Sequence, residues 1–224
     1  MRESVGSIPV EAIPVEGATR GTSGPPEVLR PDGLHDLRRR PVPHALRYPA
    51  ADLVVVSGLP GGGKSTLIRR CAHVPVIDSQ HARLHVEARL PRALPYALYR
   101  PLVRLLHYRR LHRALRAGGP LVVHDCGTLP WVRDWLARAA ARQGRRLHLI
   151  LLDARPAEAV SGQLARGRQV SAYAFGRHRR ATAVLRERLT AGPGPAGAGL
   201  ASAVLLDRPG ALHLRAIEFD PAAP

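Results

Sequence analysis

Gly58-Leu59-Pro60-Gly61-Gly62-Gly63-Lys64-Ser65-Thr66 fits the pattern GxxxxGK[ST] at every fixed position. The apolar run Leu53-Val54-Val55-Val56 precedes it, and Ser65 to Cys71 opens a helix after it. A short apolar run closed by glycine reads as a buried parallel strand, so the loop stands in the strand-to-helix setting it needs. Glycines at 58, 61, 62 and 63 allow backbone angles that other residues resist, and let successive N–H groups close around phosphate oxygens. The helix N-terminus adds partial positive charge. Lys64 is a compact cation on a flexible stem that can follow terminal phosphates, Ser65 offers a hydroxyl to magnesium, and Thr66 caps or packs nearby.

Lys64 is also the only lysine among 34 Lys plus Arg, the other 33 being arginine. Abundant Ala, Arg, Gly and Pro are the mark of a high-GC coding sequence, which accounts for the arginine preference. The net charge of +17 is separate, because it reflects only 17 Asp plus Glu. Such a surface attracts polyanions, nucleotides or acidic partners, nucleic acid among them. With 45% hydrophobic residues in 224, a sizeable core is available, and with 4% aromatics it must be built from Leu, Val, Ile and Ala. Cys71 and Cys126 lie in no CxxC or metal-type cluster, which argues against a disulfide framework or a zinc site. No apolar stretch has the length of a membrane span, and the N-terminus lacks a secretory signal's basic start and apolar run. The expectation is a soluble, cytoplasmic protein without membrane contact.

Residues 1–50 carry prolines at 9, 14, 25, 26, 31, 41, 43 and 49 and show no sustained period, so they read as a flexible leader, with Arg38-Arg39-Arg40 as a solvated charge run. From 51 to 224, apolar runs alternate with amphipathic stretches, as in a parallel α/β sheet. Five strands are expected at 52–57, 74–77, 121–124, 147–152 and 203–206. Between the second and third, Leu102, Leu105, Leu106, Leu111 and Leu115 recur at near-helical spacing, which reads as a surface helix covering the sheet. A helix is expected over 131–143, another from Pro156, an arginine-rich mobile loop at 165–180, and a helix to about Leu189. The segment 212–219 is expected to pair at a sheet edge.

Two aspartates close strands. Asp125 ends Leu121-Val122-Val123-His124-Asp125, where a carboxylate can hold magnesium through water opposite Ser65, or simply cap a turn. Motor-type ATPases place a glutamate directly after this aspartate, whereas here the residue is Cys126, so transfer to an acceptor is the better reading. Asp78 ends the second strand, placed to orient or deprotonate an acceptor hydroxyl, with turn capping as the other role. Arg83 can hold an anionic acceptor. Arg166-Gly167-Arg168, with Arg177, Arg179 and Arg180 beyond, can form a lid that supplies charge to a transferring phosphoryl group. Arg208, after the fifth strand, can stack on a nucleotide base.

These residues resemble the small kinase group of P-loop NTPases, the polynucleotide-kinase-like and zeta-toxin-like proteins often labelled AAA family ATPases. The resemblance spans roughly 51–220 and rests on Gly58 to Thr66, Val76-Ile77-Asp78 with Arg83, Asp125, and Arg166-Gly167-Arg168-Gln169-Val170. It implies an α/β P-loop NTPase fold, a sheet ordered 2-3-1-4-5 with an arginine-rich lid, and ATP and Mg2+ as cofactors. It also implies a phosphotransferase with Lys64, Asp78, Arg166 and Arg168 at the chemistry. One departure concerns the acceptor: the kinase pattern puts an acid three positions before the strand-two arginine, and here that position is Gln80. A nucleotide-binding regulator or nucleic-acid-associated module with little turnover is the alternative.

Overall fold

The computed structural model describes residues 26–91, 94–125, 129–167 and 170–222, and of residues 96 and 97 only the backbone. Its strands are β1 (Val28–Leu29), β2 (Gly33–Asp36), β3 (Ala45–Tyr48), β4 (Leu53–Gly58), β5 (Val76–Ile77), β6 (Leu121–His124), β7 (Leu147–Leu152), β8 (Ser202–Leu206) and β9 (Ala216–Phe219). The helices are α1 (Lys64–Cys71), α2 (Ser79–Glu87), α3 (Tyr96–Ala117), α4 (Pro130–Ala141) and α5 (Pro156–Leu164). They continue with α6 (Ala172–Thr190), the single turn α7 (Gly194–Gly197) and α8 (Arg208–His213).

The main sheet is parallel throughout and runs β2-β8-β7-β4-β6-β5. The five expected strands keep the order 2-3-1-4-5, and β2 joins as a sixth beside β8. All six residues of both β4 and β7 are buried, as befits central strands covered on both faces. One face packs Leu53, Val55, Leu149 and Leu151 against Leu111 and Leu115 of α3, Val132 and Leu136 of α4, and Leu185 and Leu189 of α6. The other packs Val54, Val56, Ile150 and Val204 against Leu67, Ile68 and Cys71 of α1 and Ala211 of α8.

Over that second face lies a smaller parallel sheet, β1-β3-β9. Leu46 and Tyr48 of β3 are fully buried in the same cluster as α1. The leader expected over 1–50 therefore gives way to ordered structure well before residue 50. Its first 25 residues lie outside the described residues, and β1, β2 and β3 follow. No period was visible because these strands are two to four residues long and separated by proline. Arg38 is not part of a solvated run either: it bonds Asp36 at 2.6 Å and Asp153 at 2.6 Å, while the backbone N–H of Arg39 donates to Asp207. Of the 212–219 segment, α8 occupies the start, and β9 does pair at a sheet edge, beside β3 in the second sheet.

A buried polar group ties the sheet at the end away from the loop. His148 sits between Ser202 Oγ (2.7 Å) and Asp52 Oδ2 (3.0 Å), and Asp52 also accepts from the Arg146 N–H at 2.8 Å. Although the set is Ser, His and Asp, all three are buried, so its role is to link β4, β7 and β8. Burial pushes the His148 pKa down, against the raising effect of Asp52.

Candidate nucleotide site

Ligands of open parallel sheets gather outside the carboxyl ends of the strands, and there β4 ends in the glycine loop. Gly58, Gly61 and Gly63 have φ of 142°, 83° and 105°, which side chains resist. Space forbids them too: a Cβ on Gly58 would stand 2.3 Å from Leu152 O, and one on Gly61 2.1 Å from Ala159 O in α5. Gly63 then caps α1 in the left-handed region. The next residue, Lys64, is only 4% exposed, and its Nζ donates to Gly58 O at 2.8 Å and Leu59 O at 2.9 Å. The ammonium thus folds back over its own loop and holds the loop's first turn.

From α5 and the turn after it come two further contacts. Gln163 Nε2 donates to Pro60 O at 3.1 Å while its Oε1 accepts the Val170 N–H at 3.0 Å. Arg166 Nη2 donates to Thr66 Oγ1 at 2.9 Å. The expected arginine loop is thus brought to the phosphate loop at Arg166. Arg168 lies outside the described residues, and Arg177, Arg179 and Arg180 sit on α6, which begins at Ala172 and so replaces most of the mobile loop expected over 165–180. Serine capping explains the early start: Ser171 Oγ accepts the Ala174 N–H.

On the other side of the loop, Asp78 caps α2 by accepting the Gln80 N–H at 2.9 Å. His124 Nδ1 stands 3.2 Å from the same Asp78 oxygen, without the alignment of a hydrogen bond, and His124 Nε2 is 3.5 Å from Ser65 Oγ. Burial acts to raise the Asp78 pKa, but His124, the Gln80 amide and His81 together hold it below the usual carboxylate value. Asp125 accepts long contacts from Ser57 Oγ and Arg133 Nη1, both at 3.4 Å. Beside them His107, on α3, is depressed mainly by burial, against the raising charges of Asp78 and Asp125.

Asp78, Asp125, Ser65 and Lys64 thus gather at one end of the sheet, as their positions at strand ends imply. Arg83 instead pairs with Glu87 at 2.6 Å along α2, and Cys126 falls outside the described residues. Arg208, at the start of α8, donates to Glu158 O of α5 at 3.3 Å. His124, His107, Arg133 and Gln163 were not singled out from the sequence. Only His124 had a visible signal, a polar residue closing the otherwise apolar β6.

The site fits a magnesium–nucleotide pair. Gly58, Gly61 and Gly63 hold the loop at positive φ, the backbone that a phosphate cradle needs, and Ser65 and Asp125 supply hard oxygens whose present contacts are all 3.4 Å or longer. Magnesium takes one or two such protein ligands together with phosphate oxygens and water.

No curated protein matches the chain. Among solved structures, a presumed kinase from Chloroflexus aurantiacus is similar at 16% identity, with 70% of this chain and 88% of that one covered and a TM-score of 0.48. A tunicamycin resistance protein from Deinococcus radiodurans (19% identity, 66% and 87% covered, TM-score 0.40) and shikimate kinase from Bacteroides thetaiotaomicron (16%, 71% and 87%, 0.40) are also similar. No helix among the described residues is long and apolar enough to cross a membrane. The model of the AAA domain family matches residues 53–190, which takes in the glycine loop, both strand-end aspartates, the Arg166 turn and all of α6. With well over half of its length so matched, the chain belongs to the AAA domain family and is a nucleotide-binding P-loop protein.

Proposed function

We propose that the protein is a magnesium-dependent phosphotransferase that moves the γ-phosphate of ATP to a hydroxyl-bearing or anionic acceptor. The observation that carries this reading is the Arg166–Thr66 contact at 2.9 Å, which sets a guanidinium from the arginine turn beside the residue after Ser65. Phosphoryl transfer asks mainly for positioning and charge stabilisation, and a cation there supplies both. Lys64 exchanges the carbonyls of Gly58 and Leu59 for phosphate oxygens, and the loop amides hold the rest of the phosphate chain. Ser65 and Asp125 hold magnesium, which neutralises phosphate charge when bound. Arg166 faces the transferring group, a role Arg168 would share, and Arg208 borders the nucleotide base.

Asp78 receives the acceptor hydroxyl. Its lowered pKa makes it a weak base, which suits a loose transition state in which orienting the hydroxyl matters more than removing its proton.

A second reading, a nucleotide-binding regulator or nucleic-acid-associated module with little turnover, has support from Asp78 itself. Its carboxylate already accepts the Gln80 N–H, and Gln80 stands where an acid is expected. Incubation with ATP and magnesium against nucleic-acid 5′ ends, nucleosides, sugars and antibiotics separates the two. Transfer to one acceptor, lost in Asp78→Ala, supports the phosphotransferase. ATP binding without transfer to any, or salt-dependent nucleic-acid binding that survives Lys64→Ala, supports the regulator.

A further inference from the structure

Both tryptophans of the chain, Trp131 and Trp135, line one groove. Trp135 also packs against the core beneath, whereas Trp131 is 52% exposed. The facing wall is α3, which contributes Leu105, Tyr108, Arg109, His112 and Arg113. Spacings of three and four place these five on one helix face, distinct from the one that buries Leu111 and Leu115 against the sheet. The surface helix expected from its leucines thus has a second, mixed face, on which Leu102 and Leu105 are exposed beside Arg109 and Arg113.

The cavity is about 420 Å3, the size of a small-molecule site. Its aromatic walls are tilted: the Tyr108 and Trp131 ring centroids are 5.7 Å apart at 42°. No acidic side chain lines it, and neither Arg109 nor Arg113 makes an ion pair among the described residues. A cation drawn to the indole faces would meet two guanidinium groups one helical turn apart. An anion would be held by both, and a planar one could also stack on indole.

We propose that this groove binds a small planar aromatic anion, its ring against Trp131 and Trp135 and its negative group on Arg109 and Arg113. A single nucleic-acid strand is disfavoured because it needs a continuous basic track with successive stacking platforms, whereas here both tryptophans and Arg109 and Arg113 line one groove of about 420 Å3. The site does not depend on the phosphotransferase reading, since its walls include none of the residues assigned to ATP.

Both tryptophans report directly on occupancy. Titration with para-nitrobenzoate, a planar anion that quenches indole emission, is expected to give saturable quenching in the full chain. The neutral para-nitrobenzyl alcohol should bind about ten-fold more weakly, the margin of a charge-assisted contact. The R109A/R113A double variant, changed only at exposed positions and checked by circular dichroism, should lose the same factor for the anion alone. Lys64→Ala should leave the binding curve unchanged. Unsaturable quenching, equal affinity for acid and alcohol, or an unchanged curve in R109A/R113A would overturn the proposal. So would loss of binding in Lys64→Ala, which would place the anion at the glycine loop, or salt-dependent binding of a short oligothymidylate without binding of para-nitrobenzoate.

Discussion

Gly61 and Gly162 meet backbone to backbone, so that a Cβ on Gly162 would stand 2.2 Å from Gly61 O. This contact seats the phosphate loop on α5 and fixes how far the loop can rise. Helix propensity alone would make Gly162→Ala stabilising by about 1 kcal/mol, because glycine is a poor mid-helix residue. The clash is with backbone, which cannot rotate away, and should reverse the sign to a loss of about 1–3 kcal/mol. Denaturant unfolding of the variant checks the sign, and a parallel fall in ATP affinity is expected.

Lys64→Ala should remove most of the nucleotide stabilisation. At a concentration of ATP and magnesium about 100 times its Kd, the unaltered protein gains about 2.7 kcal/mol, whereas a hundred-fold weaker variant gains only about 0.4 kcal/mol. Thermal unfolding with and without nucleotide reads the difference directly.

A chain beginning at residue 51 should fail to fold cooperatively. It lacks β2 and β3, and with them the fully buried Leu46 and Tyr48, each worth about 1.5–3 kcal/mol against a total stability of about 5–15 kcal/mol. It also leaves β8 as a bare apolar edge. Comparison of its urea unfolding with that of a chain beginning at residue 26 is the check.

Stability should decline as pH falls below the ordinary histidine range. The buried His148 has its folded-state pKa lowered by desolvation, so below the unfolded value of about 6.5 the unfolded chain takes up a proton that the folded one resists. Stability is therefore full above that pH and is lost at up to about 1.4 kcal/mol per pH unit below it, until the folded pKa is reached. His107 is shifted the same way and adds to the slope. His148→Asn should flatten the curve of unfolding free energy between about pH 7 and pH 5.5; an unchanged slope would assign the dependence elsewhere.

The nucleotide half of this protein was legible in its sequence because the loop's requirements are local. Gly58 to Thr66 needs only a strand before it and a helix after it, and both are written as continuous apolar and amphipathic runs. Asp78 and Asp125 were legible for the same reason, each closing such a run. Gln163 was not, because its importance lies in bridging Pro60 and Val170, and α5 must first be packed on the loop for that bridge to exist. His107 comes within the charges of Asp78 and Asp125 only once α3 packs against β5. The small strands β2 and β3 were hidden because four residues carry no period, and their partners β8 and β9 lie at the far end of the chain.

That distance governs how the molecule is made. Ala45 pairs with Ala216, and Gly33 with Ser202, so the first strands to leave the ribosome must wait for the last before either sheet is complete. At about 5–20 residues per second the intervening stretch of about 170 residues takes about 10–30 s to synthesise, during which β3 has only the two-residue β1 beside it and Tyr48 has no paired residue. The central β4-β6-β7 unit can collapse in the meantime, but the fold closes only when its two ends meet. Substitutions near residue 216 should therefore be felt first as lower yield of soluble protein during synthesis, before any change in the nucleotide site.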